Sequence, residues 1–354
     1  MQPFLLVANM ALLSALALRL VPALKTRRGW FAMGLITSSM AYFVNWYLSD
    51  AEMHRALRSA LLVFVVGQPV FFWLTANTLF DDQFRLRSWH YLLIAGKFIL
   101  AAILSAGRPI PNIFRPVDPA ELPRILPNFF YTLAFVFHAM ATLLRTNRSD
   151  LVEPRRRLRT MVLFVTGLLI VQALISASVL RPLGFGAVSD GLSLLLIYAA
   201  LLAGVAWGNA DWDALFLVPA RNSGEGDPQV MQKALAAMEK DELFRTEGLT
   251  VTALAEKLGL PEYKLRRAIN GGLGYRNFNE YLNFYRIRAA RKFLEDAKQR
   301  DYPLIHLALD LGYPSPAPFN RAFKEATGMA PGEYRRKFAS LLDAGAQAGF
   351  SEQA

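Results

Sequence analysis

Apolar residues dominate the first 207 positions and come in blocks rather than in a periodic stripe. The blocks are Pro3–Leu24, Gly29–Leu48, Ala56–Leu79, Trp89–Ala106, Pro127–Leu144, Thr160–Leu180 and Val188–Trp207. Each runs about 18 to 24 residues, which at 1.5 Å per residue crosses a hydrocarbon core of about 30 Å. A helix lying on a soluble core keeps a polar face, and these blocks keep almost none. The pattern predicts a membrane domain of seven spans over 1–207. Ala15-Leu16-Ala17 resembles a signal-peptide cleavage site. However, no basic residue precedes the first block, and Lys25, Arg27 and Arg28 follow it. That order suits a first span with its N-terminus outside.

After Trp207 the pattern changes. Residues 208–228 read as a juxtamembrane segment and linker, with Asn222, Ser223, Gly224 and Gly226 close together near its end. From 229 to 340 charged residues are frequent and the apolar positions recur at helical spacing. Residues 341–354 read as a disordered tail. The expected fold class is therefore all-α: a seven-helix transmembrane bundle followed by a helical domain.

That domain contains an internal echo. Leu254-Ala255 is followed by Gly259, and Leu307-Ala308 by Gly312 at the same spacing. A helix-turn-helix needs a small residue where its helices cross closely, and a glycine where the chain turns sharply between them. Beyond each glycine, Leu265 and Ile269, or Phe319 and Phe323, are placed to plug the second helix into a core. One such motif is weak evidence, and two joined by a helix are much stronger. The joining helix is predicted from Phe278 to Leu294. Its apolar stripe is Phe278, Tyr281, Leu282, Tyr285, Ala289 and Phe293, and Arg286, Arg291 and Lys292 lie off it. Two helix-turn-helix units in tandem predict a DNA-binding domain.

Composition and charge agree with both halves. The 354-residue chain is 54% hydrophobic and carries a net charge of +11, attractive to nucleic acid and to anionic lipid. Eleven Lys and Arg fall in the loops that would be cytoplasmic and six in those that would be outside. This bias puts the C-terminal domain in the cytoplasm, although the outer loop 107–126 carries three arginines and five prolines. With no cysteine, disulfides, thiolate–metal sites and thiol catalysis are excluded. No phosphate-binding loop, histidine pair at metal spacing or nucleophile elbow is visible, so neither an enzyme, a metal site nor a cofactor is expected.

The second half also resembles the AraC-type transcriptional regulators. The second unit carries the more specific match, in Gly312-Tyr313, Phe319-Asn320-Arg321-Ala322-Phe323-Lys324, Thr327-Gly328, Pro331 and Tyr334-Arg335. Leu265, Arg267, Gly274, Tyr281, Arg286-Ile287 and Ala290 add to it. The resemblance covers about residues 230 to 338. It implies two recognition helices in successive major grooves about 34 Å apart, with Ala255, Gly259, Ala308 and Gly312 as the structural positions. It places Tyr263, Arg266 and Arg267 toward the groove in the first unit. In the second, the family's polar groove positions fall on Pro316 and Ala317, whose side chains donate no hydrogen bond, leaving Asn320 and Arg321. The first unit is thus expected to read bases and the second to hold phosphates. Lys264 and Lys324 are phosphate candidates.

Ionisable groups within spans are functional candidates by default. Lys97, near the centre of the fourth block, and His138, in the fifth, are the candidates for signal sensing. The leading expectation is a one-component transcription regulator of a bacterial inner membrane, its DNA binding controlled by a signal sensed in the membrane. The alternatives are a membrane enzyme or transporter with a regulatory domain, and a membrane half that only anchors. Expected partners are double-stranded DNA, the lipid bilayer, a small-molecule or membrane signal, a second copy in a homodimer and, for an activator, RNA polymerase.

Overall fold

Helix α1 (Gln2–Leu20) shows how the first half is organised. Leu5, Leu6, Asn9, Leu13, Leu16 and Leu20 are buried on one face. The opposite face holds Phe4, Val7, Ala11, Ser14 and Leu18, all exposed, with Phe4 and Leu18 each 73% accessible. A surface helix in water keeps charges on its outer face; here the outer face is apolar as well.

The computed structural model describes residues 2–47, 55–82, 84–105, 122–147, 149–176, 180, 183–207 and 226–340. The expected linker, except for its last three residues, the expected tail and most of the loop 107–126 lie outside the described residues. The chain divides into two compact units. The first comprises Met1–Asn147 and Pro154–Pro219, and the second Arg148–Glu153 and Ala220–Ala354.

In the first unit α1 is followed by α2 (Arg27–Tyr47), α3 (Arg55–Phe80), α4 (Ser88–Ser105), α5 (Leu122–Thr146), α6 (Glu153–Ile175) and α7 (Gly186–Trp207). Each overlaps one of the expected apolar blocks. Among the described residues, three stretches are long and apolar enough to cross a membrane: Phe4–Lys25, Val63–Phe80 and Leu126–Thr146. Ser88–Leu104 and Val188–Ala203 are apolar but shorter. The count is therefore three where seven were expected. The shortfall has visible causes: α2 carries Thr37, Ser38, Ser39 and Asn45, and α6 opens with Glu153, Arg155, Arg156, Arg157 and Arg159.

Helix α1 packs on α2 and α7, α2 on α3, and α5 on α3 and α4. Several polar groups inside this unit are bonded across helices, which offsets their burial away from water. The Asn9 amide donates to the Leu194 carbonyl at 3.3 Å, Gln68 to Ser39 Oγ at 3.3 Å, and Gln172 to the Ser189 carbonyl at 3.3 Å. Three helix ends meet on one carboxylate: Asp82, just after α3, accepts from Arg28 at 3.1 Å and from both terminal nitrogens of Arg155 at 2.9 Å. The neighbouring Arg159 is fully buried. It donates to the Phe80 carbonyl at 3.2 Å and lies 5.1 Å from the centre of the Phe80 ring.

The second unit is built from α8 (Pro228–Glu239), α9 (Val251–Lys257), α10 (Glu262–Arg267), α11 (Phe278–Glu295), α12 (Leu304–Asp310), α13 (Pro316–Thr327) and the helical residues 331–340, which form α14. Asp227 caps α8, Thr250 caps α9 and Asn277 caps α11, each through a side-chain oxygen that accepts a backbone N–H. One continuous core runs through both lobes and includes Met238, Leu254, Leu265, Tyr281, Phe319 and Phe323.

Candidate nucleic-acid interface

Helices α9 and α10 form the first helix-turn-helix. Leu254 and Ala255 are 0% and 2% exposed, so α10 crosses against the small alanine. The chain turns at Gly259 with φ +62°, in the left-handed region where a side chain is disfavoured. Pro261 then leads into α10, which continues into a wider turn over Ala268–Gly272. Leu265, Ala268 and Ile269 are fully buried. Tyr263, 67% exposed, together with Lys264 and Arg267, faces solvent. Spacings of three and four residues put these three side chains on one side of the helix.

Helices α12 and α13 repeat the arrangement. Leu307 and Ala308 are 2% and 0% exposed, Gly312 has φ +81°, and Phe319 and Phe323 are fully buried. Asn320, Arg321 and Lys324 are exposed and share a side. The first turn of α13 is Pro316-Ala317-Pro318, whose side chains offer no donor. The two exposed faces therefore differ in chemistry: tyrosine and arginine in the first, amide and cations in the second.

Arg286 joins the lobes. It lies off the apolar stripe predicted for α11 and yet is only 7% exposed. Its Nε donates to the Phe244 carbonyl at 2.8 Å and its Nη2 to the Thr246 carbonyl at 3.1 Å. Its guanidinium lies 4.9 Å from the centre of the Tyr313 ring. Burial pushes the Tyr313 hydroxyl up to about 12, with the Arg286 charge opposing; that hydroxyl donates to Asn283 Oδ1 at 2.9 Å. A hydropathy stripe does not register such a residue, because its burial depends on carbonyls forty residues away.

Arg266, expected beside Arg267 at the groove, is 5% exposed. Its Nε donates to Glu262 at 2.6 Å and its Nη1 to the carbonyl of Asp150 at 2.5 Å. The segment around Asp150 belongs to the second unit, a placement not anticipated from the sequence. One signal was present: Leu151-Val152 is an apolar pair in a loop otherwise rich in arginine.

In the first unit, Lys97 is fully buried. Its ammonium donates to the Asn128 carbonyl at 3.2 Å, Asn128 Oδ1 at 2.6 Å and Thr132 Oγ1 at 2.7 Å. His138 accepts from the Trp73 indole at 2.9 Å. It stands six residues beyond Thr132 on α5, about 9 Å along the axis at 1.5 Å per residue. The two sensing candidates thus belong to separate polar clusters. Among the described residues no group of His, Asp or Glu is arranged to hold a metal ion.

Comparison with known proteins is consistent with this geometry. Residues 254–337, which span both helix-turn-helix units, match the family model of a helix-turn-helix domain. Over 94 residues the chain is 30% identical to a probable transcription factor, PqrA, of Proteus vulgaris, covering 27% of this chain and 74% of the relative. No solved structure matches the chain.

Proposed function

Because the chain belongs to the AraC-type helix-turn-helix family through its C-terminal domain, we propose that it is a membrane-bound transcription regulator whose two units read one DNA site. The observation that carries this reading is the pair of exposed helix faces, Tyr263, Lys264 and Arg267 on α10 and Asn320, Arg321 and Lys324 on α13. Arginine suits guanine edges, and tyrosine suits a thymine methyl or a phosphate. The donor-free first turn of α13 leaves Asn320, Arg321 and Lys324 mainly to backbone contacts. Sequence discrimination then comes chiefly from α10.

The first unit is read as a membrane domain with the N-terminus outside. Large apolar side chains stand exposed along it, among them Phe4, Leu18, Leu92, Ile103, Phe137 and Phe164. A water-facing surface rarely carries so many. Arg28, Asp82 and Arg155 lie in the three loops assigned to the cytoplasm by charge, and their mutual bonding supports placing those loops at one end. Lys97, held by three neutral oxygens, and His138 are the sensing candidates. A signal acts by binding one arrangement of the bundle better than another.

The test is DNA binding by the full chain in lipid vesicles, using an operator selected from random duplexes. Sequence-dependent binding that weakens steeply with salt supports the proposal. Equal affinity for selected and scrambled duplexes contradicts it.

A further inference from the structure

The short segment between α5 and α6 is folded into the DNA-binding unit. Asp150 pairs with Asn277 as an antiparallel bridge. The Leu151 N–H donates to the Arg276 carbonyl at 3.0 Å, and the Phe278 N–H donates to the Ser149 carbonyl at 2.7 Å. The Asp150 carboxylate accepts the Val152 N–H at 3.0 Å and so holds the turn. Leu151 is 2% exposed and belongs to the core of the second unit. This is a seated strap with backbone pairing and an apolar anchor.

The strap also holds a cation of the recognition helix. Arg266 stands three residues after the exposed Tyr263, on the same side of α10. Its side chain is nevertheless turned inward, onto the Asp150 carbonyl and the Glu262 carboxylate. Without the strap, the Asp150 carbonyl is lost, and the guanidinium can exchange its remaining hold on Glu262 for a phosphate beside Arg267.

We infer that residues 149–153 form an inhibitory strap: when seated it withholds Arg266 from DNA, and when displaced it adds that cation to the interface. The strap continues directly into α6 at Glu153 and follows α5, which ends at Thr146. A rearrangement of those two helices is therefore transmitted to the first recognition helix by a few residues of chain. The inference rests on the DNA-binding reading above.

The test uses the full chain in vesicles of phosphatidylethanolamine and phosphatidylglycerol. The probe is a mixed-sequence duplex of about four helical turns, long enough for two successive grooves. The chain has no cysteine, so Asp150→Cys with Asn277→Cys creates a single pair. The two residues occupy a non-hydrogen-bonded antiparallel position, where Cα atoms are about 4.5 Å apart and a disulfide can close. The oxidised protein has the strap locked. Leu151→Ser removes the anchor and releases it.

The released protein is expected to bind at least about tenfold tighter than the locked one, as for one added charged hydrogen bond. Its salt slope should be steeper by about 0.9, as for one added phosphate contact. The reduced double-cysteine protein, which lacks the Asp150 turn contact and the Asn277 cap, should bind more tightly than its oxidised form, and Arg266→Ala should abolish the difference between locked and released forms. Released protein that binds no tighter than the locked protein, a difference that persists with Arg266→Ala, or cysteines that fail to oxidise would each overturn the strap. If wild type binds no DNA at all, it is the DNA-binding reading that falls.

Discussion

The guanidinium of Arg286 lies 4.9 Å from the centre of the Tyr313 ring and binds two backbone carbonyls that precede the first helix-turn-helix. One side chain on the connecting helix thus ties the turn of the second unit to the entry of the first. Arg286→Met keeps most of the stem and leaves the Phe244 and Thr246 carbonyls unsatisfied. About 2–4 kcal/mol of stability in the second unit should be lost, at roughly 1–3 kcal/mol per orphaned buried group with partial relaxation. Arg286→Lys should recover little, because an ammonium lacks the planar fork. Hydrogen exchange across α11 reads both.

The two turn glycines are equivalent in sequence and unequal in space. A Cβ at Gly312 would stand 2.6 Å from the Arg245 carbonyl oxygen and 2.8 Å from Arg286 Nη2, and at Gly259 it would meet nothing within 4 Å. Both glycines have positive φ. Gly259→Ala should therefore cost about 1–2 kcal/mol from backbone strain alone. Gly312→Ala should cost clearly more and weaken the Arg286 bridge. Thermal unfolding of the two variants side by side checks the order.

Arg267→Ala should lower binding to a selected operator by about 1–3 kcal/mol for a lost bidentate contact and relax discrimination at one base pair. Lys324→Ala should weaken binding to all sequences alike and flatten the salt slope by about 0.9. Titrations against operator and single-mismatch duplexes separate the two effects. Unchanged discrimination in Arg267→Ala would remove base reading from α10.

In the first unit, Asp82→Asn should be far more damaging than Arg28→Ala. Arg155 is 1% exposed and loses the charge of Asp82, to which it makes two bonds, whereas the Arg28 side chain is 21% exposed. Breaking a buried pair costs up to about 3–5 kcal/mol, and an exposed pair is worth at most about 1 kcal/mol. The midpoints for thermal aggregation in detergent give the ranking.

Alkaline pH supplies a separate check on the lobe contact. The Tyr313 hydroxyl titrates near 12 in the folded chain, above its ordinary value near 10. A raised acid of this kind stabilises the fold fully below pH about 10 and progressively less as pH climbs toward 12. Tyr313→Phe should therefore lose less stability over that window than the wild type does, measured as the fall in denaturation midpoint.

Local pattern carried far into this fold. The Leu-Ala-x3-Gly echo located both turns, and the buried plugs Leu265, Ile269, Phe319 and Phe323 follow from helical spacing. The apolar blocks located α1 to α7, while the polar residues of α2, the arginines of α6 and the shorter apolar stretches of α4 and α7 reduce the clear spans to three. What stayed hidden depends on contacts distant in sequence. Arg286 is buried because of Phe244 and Thr246, and Arg266 is turned inward because residues 149–153 lie against α10 and the start of α11. No window of a single helix contains those partners. Lys97 and His138 were legible as polar groups in apolar runs, but which partners each would take was not.

We propose that a chain with an apolar helical first unit reads specific DNA through α10 and α13. The most direct measurement is genome-wide mapping of DNA crosslinked to the full-length protein and recovered from the membrane fraction. Enrichment is expected at discrete sites sharing a motif whose two halves lie about one helical turn apart, with the half read by α10 lost in Arg267→Ala. DNA recovered evenly across the genome, or a motif unaffected by that substitution, would contradict it.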